Sequence, residues 1–263
     1  MVIKLKINTE KCTACKLCKS VCIRNNIGVD SFAFELESNC FECGHCMAIC
    51  PVGAISLVTY ENQKDRVQDY TNLSLDYDDL LQFFKQRRSI RWFKNKKIDK
   101  DTFNKLFEGA YYSPSAQNMQ DVEFVVLDGD LDAFMDLVYD IIKVNEDEFF
   151  RIKEFGDYLK DNSLFDHHPL LWDGSQLILT FSSDKTSAVI ANSRLELLAY
   201  SLGLGGFYSI FILMADEINH DLLMDFFPNI DRNKHLYSTF IIGYPKLKFK
   251  RSVPHSKVNV DFR

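Results

Sequence analysis

The sequence predicts two modules: a small cysteine-rich one, then a larger one in which helices and strands are mixed. Three observations carry this reading. All eight cysteines fall between Cys12 and Cys50, so the thiols occupy the first fifth of a chain of 263 residues. Residues 61–75, ENQKDRVQDYTNLSL, are polar and lack an apolar period, which marks a linker. Beyond residue 76, helical and strand periodicities alternate, as they do in α+β or α/β layers. The expected domains are therefore residues 1–60, a linker at 61–75, and residues 76–263, a stretch long enough to bury its own core.

In the first module, CTACKLCKSVC (12–22) and CFECGHCMAIC (40–50) share the spacing C-x2-C-x2-C-x3-C. Disulfides, zinc and iron–sulfur clusters compete to explain it. The opening residues, MVIKLKINTE, lack the apolar stretch and cleavage site of a signal peptide, which argues against a secreted disulfide scaffold. Zinc sites more often take pairs of C-x-x-C from separate strands. Three closely spaced thiolates can instead grip three irons of one cubane, while the fourth is held too far round and reaches the neighbouring cluster. That logic assigns Cys12, Cys15, Cys18 and Cys50 to one [4Fe–4S] cluster and Cys40, Cys43, Cys46 and Cys22 to a second. His45, inside the second motif, is surplus to the ligand count. Residues 1 to about 60 resemble a bacterial-type ferredoxin, and CPVGAI (50–55) matches how that family leaves its second motif. Ile23 stands where a proline is usual, which alters a turn and removes no ligand.

The second module opens with DYDDLLQFFKQR (76–87), which places Leu80, Leu81, Phe83 and Phe84 at helical spacing behind Ser74 or Asp76 as N-cap. A second helix, 99–112, carries Phe103, Leu106, Phe107, Ala110 and Tyr111 on one face. Strands are expected at 122–128, 176–182 and 237–244, where branched and aromatic residues concentrate. Residues 186–202 and 215–227 read as helices, and 143–168 as an acidic, aromatic insertion with helical tendency. No repeat follows the cysteine pair.

The net charge of −6 offers no general attraction to nucleic acid. The most apolar run, LLWDGSQLILTF (170–181), is interrupted by Asp173 and Gln176 and is too short to cross a bilayer. No nucleic-acid or membrane partner is expected. A reducing cytoplasm is the expected compartment, since oxidants damage thiolate-bound clusters.

Two stretches of the second module bear on chemistry. QRRSIRWF (86–93) sets three arginines around a serine, and their forked donors suit a phosphate dianion, although such cations also serve merely to offset a helix C-terminus. YSPSAQNMQ (112–120) follows the second helix directly and also reads as a turn. Together with AYSLGLGGFY (199–208) and IIGYP (241–245), these stretches resemble the nitroreductase family over residues 76 to about 255. The resemblance implies a three-layer α+β fold, with a central, mostly antiparallel sheet flanked by helices. It also implies a homodimer with FMN at its interface.

By matching positions, the resemblance places Arg87 on the flavin phosphate, Arg88 and Ser89 in contact with the cofactor, and Arg91 nearer the ring. Pro114, Ser115, Ala116 and Asn118 would come from the other copy. Gly203, Gly205 and Gly206 would leave room for the flavin, and backbone groups of Tyr208, Ser209 and Ile210 would face its reactive nitrogen. Further phosphate cations are expected from KLKFKR, with Lys250 and Arg251 the favoured pair. Two departures stand out. Asp121-Val122 replaces the family's usual Pro-Trp after Gln120, and Ile210 occupies the position nearest to where an acidic neighbour of the ring is often found.

The function so implied is an oxidoreductase of the nitroreductase type, fed by two [4Fe–4S] clusters and FMN. It would reduce a small organic acceptor such as a nitroaromatic, a quinone or an activated alkene, with NAD(P)H or a reduced ferredoxin as donor. The alternatives are a non-enzymatic electron carrier or flavin-binding protein, motivated by the departures, and an FMN enzyme of other chemistry that uses the clusters as an electron exit.

Overall fold

The structure, a computed structural model, describes residues 3–36, 40–70, 73–172, 174–256 and 258–263, with the side chains of 64–66 left aside. Asp173, part of the apolar run above, lies outside the described residues. The chain forms two compact units. One holds the residues up to Ser74 together with Ala116–Met119; the other holds Leu75–Ser115 and Gln120–Arg263.

The N-terminal unit is built from two antiparallel ribbons and two short helices. Strand β1 (Leu5–Ile7) pairs with β4 (Ile55–Leu57), and β2 (Ile27–Val29) pairs with β3 (Ala33–Glu35). Helices α1 (Leu17–Val21) and α2 (His45–Ile49) each end at a cysteine. Leu5, Ile27, Ala33, Ile55 and Leu57 bury together with Cys18 and Cys46. The stretch read as a linker begins within 3-10 turns over Val58–Arg66.

The C-terminal unit is a four-stranded sheet between two helical layers. Its order is β5 (Glu123–Leu127), β6 (Gln176–Ser182), β8 (His235–Gly243), β7 (Gly205–Tyr208), and every pairing is antiparallel. Because successive side chains of a strand face opposite ways, β6 and β8 each serve two cores. Ile178, Phe240 and Ile242 meet α4 (Lys100–Tyr111) and α7 (Lys185–Ser201) through Leu106, Ala110, Leu195 and Ala199. Leu177, Leu179, Phe181 and Ile241 pack with α5 (Leu131–Ile142) and α8 (Ile210–Ile218) through Phe134, Val138, Ile212 and Ala215. Helices α6 (Phe150–Lys160) and α9 (His220–Asp225) complete this second layer.

Aspartate side chains cap the first two helices of this unit. Asp76, rather than Ser74, caps α3 (Tyr77–Gln86), accepting from the Asp78 and Asp79 amides, and Asp99 accepts from Thr102 at the start of α4. Helix α3 buries none of its residues; Leu80 and Phe84 stay exposed.

Several expectations are corrected. The helix expected over 215–227 is two helices that start earlier and break at Asn219, whose side chain caps the second by accepting from Leu222 N. The 143–168 insertion contains helix α6, in keeping with the helical tendency expected of it. Helix α5 and strand β7 were not foreseen: glycines mask β7's strand pattern.

Candidate functional site

The two cysteine turns are near copies. In the first, Ala14 and Lys16 adopt positive φ (52° and 64°); in the second, Glu42 and Gly44 do (52° and 74°). A left-handed residue reverses the chain between successive thiols, so that sulfurs three apart face one centre. Each turn then enters a five-residue helix carrying the third thiol, and Cys22 and Cys50 close the helices in extended conformation.

The sulfurs gather in two sets. One cavity, about 370 Å³ including its open mouth, is lined by Cys22, Cys40, Cys43 and Cys46. The other, about 320 Å³, is lined by Cys12, Cys15, Cys18 and Cys50. Each set takes three thiols from one turn and the closing thiol of the other, the same grouping that the spacing suggests.

Backbone amides point at the sulfurs. Asn26 N donates to Cys22 Sγ and Ala33 N to Cys12 Sγ, both at 3.3 Å; Glu42 N donates to Cys40 Sγ at 3.3 Å and Ala54 N to Cys50 Sγ at 3.2 Å. Burial meanwhile raises the thiol pKa values of Cys18 and Cys40 and pushes that of Cys46 up to about 12. Left to themselves these groups stay neutral; a cationic centre deprotonates coordinating thiols outright. Buried thiols, amide donors to sulfur and apolar walls together fit a metal–sulfur cluster in each cavity. His45 is exposed and lines the Cys22/Cys40/Cys43/Cys46 cavity beside Cys43, its Nδ1 3.2 Å from the sulfur.

In the C-terminal unit the RRSIR stretch leaves α3 in extended conformation and runs beside β7, with Ile90 N donating to Gly206 O at 2.9 Å. This crowding explains two glycines. A Cβ on Gly205 would stand 2.5 Å from Ile90 Cγ1, and one on Gly206 would stand 2.1 Å from the Ile241 carbonyl. Gly203, at φ +76°, ends α7: its amide bonds Tyr200 O and the next amide bonds Ala199 O, a Schellman closure that glycine permits.

Arg87 is half-buried and pairs through Nη1 with Glu196 Oε1 at 2.9 Å. Glu196 Oε2 also accepts from the Tyr208 hydroxyl at 3.0 Å. Burial, then the Glu196 charge and this hydrogen bond, raise the Tyr208 pKa, so its phenol stays protonated. Arg88 and Ser89 are half-buried. The Arg91 guanidinium lies 5.2 Å from the Phe207 ring centroid and 5.8 Å from that of Trp172. Ser209 is buried; its amide donates to Thr239 Oγ1, and its carbonyl accepts from that hydroxyl. It stands at the N-terminus of α8, where no side chain caps the first amides.

The basic C-terminal stretch meets the same edge at its root. Lys94 N donates to Tyr244 O at 2.8 Å and Lys246 N to Trp92 O at 2.9 Å. Lys250 and Arg251 lie beyond, fully on the surface, and are not brought beside Arg87 by any described contact. Pro114 is exposed and Ser115 Oγ accepts from Gln120 N. Ala116 is exposed, and Asn118, at φ +57°, donates through Nδ2 to the Glu42 carbonyl at 2.9 Å within the N-terminal unit. Ser113 Oγ is buried without a partner among the described residues, a donor and acceptor left open.

Glu196 was not foreseen. It lies 109 positions from Arg87, and the one signal was Asn192 and Glu196 at i, i+4 on the same helix. Asp121, a departure from the family pattern, has a structural task. Its carboxylate accepts from Ser182 Oγ (3.0 Å), Ser183 N (2.8 Å) and Ser183 Oγ (2.5 Å), tying the start of β5 to the turn after β6.

A model described as the nitroreductase family matches residues 84–244 of this chain. The chain belongs to the nitroreductase family. A 4Fe–4S binding domain matches residues 36–56, the second cysteine turn. No curated protein sequence matches the chain.

Solved structures share the nitroreductase fold. A nitroreductase with bound FMN from Bacteroides fragilis superposes with a TM-score of 0.53 at 16% identity, over 70% of this chain and 98% of that one. A BluB-like flavoprotein from Clostridium difficile gives 0.53 at 20%, over 70% and 96%. An iodotyrosine deiodinase bound to FMN and 3-iodo-L-tyrosine gives 0.51 at 21%, over 70% and 98%. In this nitroreductase-family chain Lys250 and Arg251 fall outside the matched residues. No helix among the described residues is long and apolar enough to cross a membrane.

Proposed function

We propose that this nitroreductase-family chain is an FMN-dependent oxidoreductase in which two [4Fe–4S] clusters exchange single electrons with the flavin to reduce a small organic acceptor. The observation that carries the reading is the gathering of all eight thiols into two four-sulfur cavities in a chain that also matches the nitroreductase family. The clusters supply one-electron transfer, and FMN converts single electrons into a hydride equivalent. Nitroaromatics, quinones and activated alkenes are the acceptor classes, with NAD(P)H or a reduced ferredoxin as donor and the cytoplasm as the compartment.

The chain's own residues bind and orient. Arg87 holds the phosphate, with Glu196 fixing its guanidinium, and Arg88 and Ser89 add donors. Arg91, braced on Phe207, places positive charge where a reduced ring becomes anionic. The uncapped amides after Ser209, at the positive end of α8, face electron-rich atoms of the ring. Tyr208, kept protonated, remains a donor. In a homodimer, Pro114, Ser115, Ala116 and Asn118 of the second copy close the site, and Lys250 and Arg251 supply further phosphate cations.

Anaerobic purification followed by iron, sulfide and flavin analysis tests this directly. About eight irons and one FMN per chain are expected; cluster iron without FMN, under conditions that preserve both, overturns the assignment. Arg87→Ala is expected to weaken FMN retention at least tenfold with the cluster absorbance unchanged. A donor screen followed by flavin bleaching then identifies the reductant.

A second reading keeps FMN and changes the reaction. The same fold includes a deiodinase bound to an iodinated tyrosine and a BluB-like flavoprotein, so the fold by itself does not choose the substrate. Product analysis with each acceptor class separates the two.

A further inference from the structure

Away from the residues assigned to flavin and clusters, one set of side chains joins three elements of the C-terminal unit. Asp216 lies in the last turn of α8, His220 opens α9 and His235 opens β8. The Asp216 side chain is 5% exposed, yet both its oxygens meet imidazoles. Oδ1 stands 2.8 Å from His220 Nδ1, and Oδ2 stands 2.8 Å from His235 Nδ1. The two rings are 4.1 Å apart, centroid to centroid. His220 Nε2 is 2.8 Å from the Arg232 carbonyl oxygen.

The donor inventory makes this arrangement unusual. A carbonyl oxygen only accepts, so His220 Nε2 carries its hydrogen. An ionised carboxylate also only accepts, so His220 Nδ1 can lie against Asp216 only with a positive centre between them. That centre is either a second proton or a metal ion. Ligating histidines characteristically donate their other N–H to a carbonyl or carboxylate, which turns the free nitrogen toward the metal. The Arg232 carbonyl already does this for His220.

We propose that Asp216, His220 and His235 form a binding site for a divalent transition-metal ion of the zinc class, held by His220 Nδ1, His235 Nδ1 and the Asp216 carboxylate. Two imidazoles and one carboxylate suit such ions. Magnesium and calcium prefer all-oxygen shells, and Cu(I) prefers sulfur. Ligand atoms about 2.0–2.1 Å from a tetrahedral zinc stand about 3.3 Å from one another. The three ligand atoms here lie within 4.8 Å of one another, and each imidazole nitrogen stands 2.8 Å from one of the two Asp216 oxygens, so small ring rotations admit the ion. His235, with a side chain 44% exposed, is free to make them. Binding displaces the shared proton from His220 Nδ1 to solvent, while the Nδ1 hydrogen of His235 moves to its Nε2 by exchange with water. Three protein ligands leave one position open to a surface cavity lined also by Glu217, Asp221 and Tyr237, where water or a small anion completes the shell.

The test is titration of the anaerobically purified full chain with Zn²⁺ alone, and with Co²⁺ as an optical probe. The expected result is one site per chain, with cobalt d–d bands and no thiolate charge-transfer band. His235→Ala, a partly exposed position, is expected to weaken binding by more than the roughly 10–100-fold that loss of an outer-shell partner costs. His220→Ala should do the same. Folding of each variant is checked by circular dichroism. Absence of binding by the folded wild-type chain, unchanged affinity in both variants, or a thiolate band that places the metal on cysteine would each overturn the proposal. Metal occupancy is the readout, so the result is independent of whether the chain carries FMN.

Discussion

In the N-terminal unit, Cys18 and Cys46 stand among Leu5, Ile27, Ala33, Ile55 and Leu57 in the buried cluster, and Cys12, Cys22 and Cys40 pack against it. In the C-terminal unit both cores are built mainly from aliphatic and aromatic side chains, from Phe134 and Phe155 on one sheet face to Leu106 and Phe240 on the other. The first unit has three-residue strands and five-residue helices, too short to be stable by themselves. The second has a nine-residue central strand and a 17-residue helix. The contrast teaches that a small domain can delegate its core to a metal–sulfur centre, whereas a large one has enough apolar surface to manage without.

Cluster removal is the strongest way to break that contrast. Stripping the iron anaerobically with acid or chelator is expected to abolish hydrogen-exchange protection throughout residues 5–57, while peptides of β6 and β8 keep theirs. Retained protection in the stripped N-terminal unit would show that its apolar residues suffice. The reciprocal change is Phe134→Ala, at a site of 0% exposure. It should cost the C-terminal unit about 3–5 kcal/mol in urea unfolding and leave the cluster absorbance alone.

A pH effect is next in size and should be confined to the C-terminal unit. His168 Nδ1 accepts from the Leu170 and Leu171 amides at 3.0 and 3.1 Å, and its ring lies among Phe155 and Tyr158. Burial lowers its pKa to about 4 from the usual value of about 6.5. Between those values the unfolded chain binds a proton that the folded chain does not, so stability falls as pH drops from about 6.5 to about 4. The loss totals about 3 kcal/mol. His168→Asn, which keeps an acceptor, should flatten this slope in urea unfolding series; an unchanged slope would assign it to other groups. The smallest effect belongs to α3, which buries nothing: Asp76→Ala removes its cap and should cost about 1 kcal/mol, read as faster exchange of the first-turn amides.

Residues that act through local geometry were legible in advance. Cysteine spacing indicates which three thiols of a turn line one cavity, because the turn between neighbouring thiols is only two residues long. The helix over 99–112, the strands around residues 122–128 and 176–182, and the helix over 186–202 follow from period and propensity alone. Strand β7 was hidden because its glycines answer to crowding by Ile90 and Ile241, residues far away in the chain. The break at Asn219 depends on a cap inside a stretch that otherwise reads as one helix. The partnership of Glu196 with Arg87 and Tyr208, the ties from Asp121 to Ser182 and Ser183, and the grouping of Asp216 with His220 and His235 carry little or no local signature.

What the chain's letters determined unaided, then, is where thiols, caps and alternating runs lie, since each depends on atoms a few bonds apart. Tertiary structure alone decided that Glu196 neutralises Arg87, because these partners, 109 positions apart, meet only when the sheet and its flanking helices assemble.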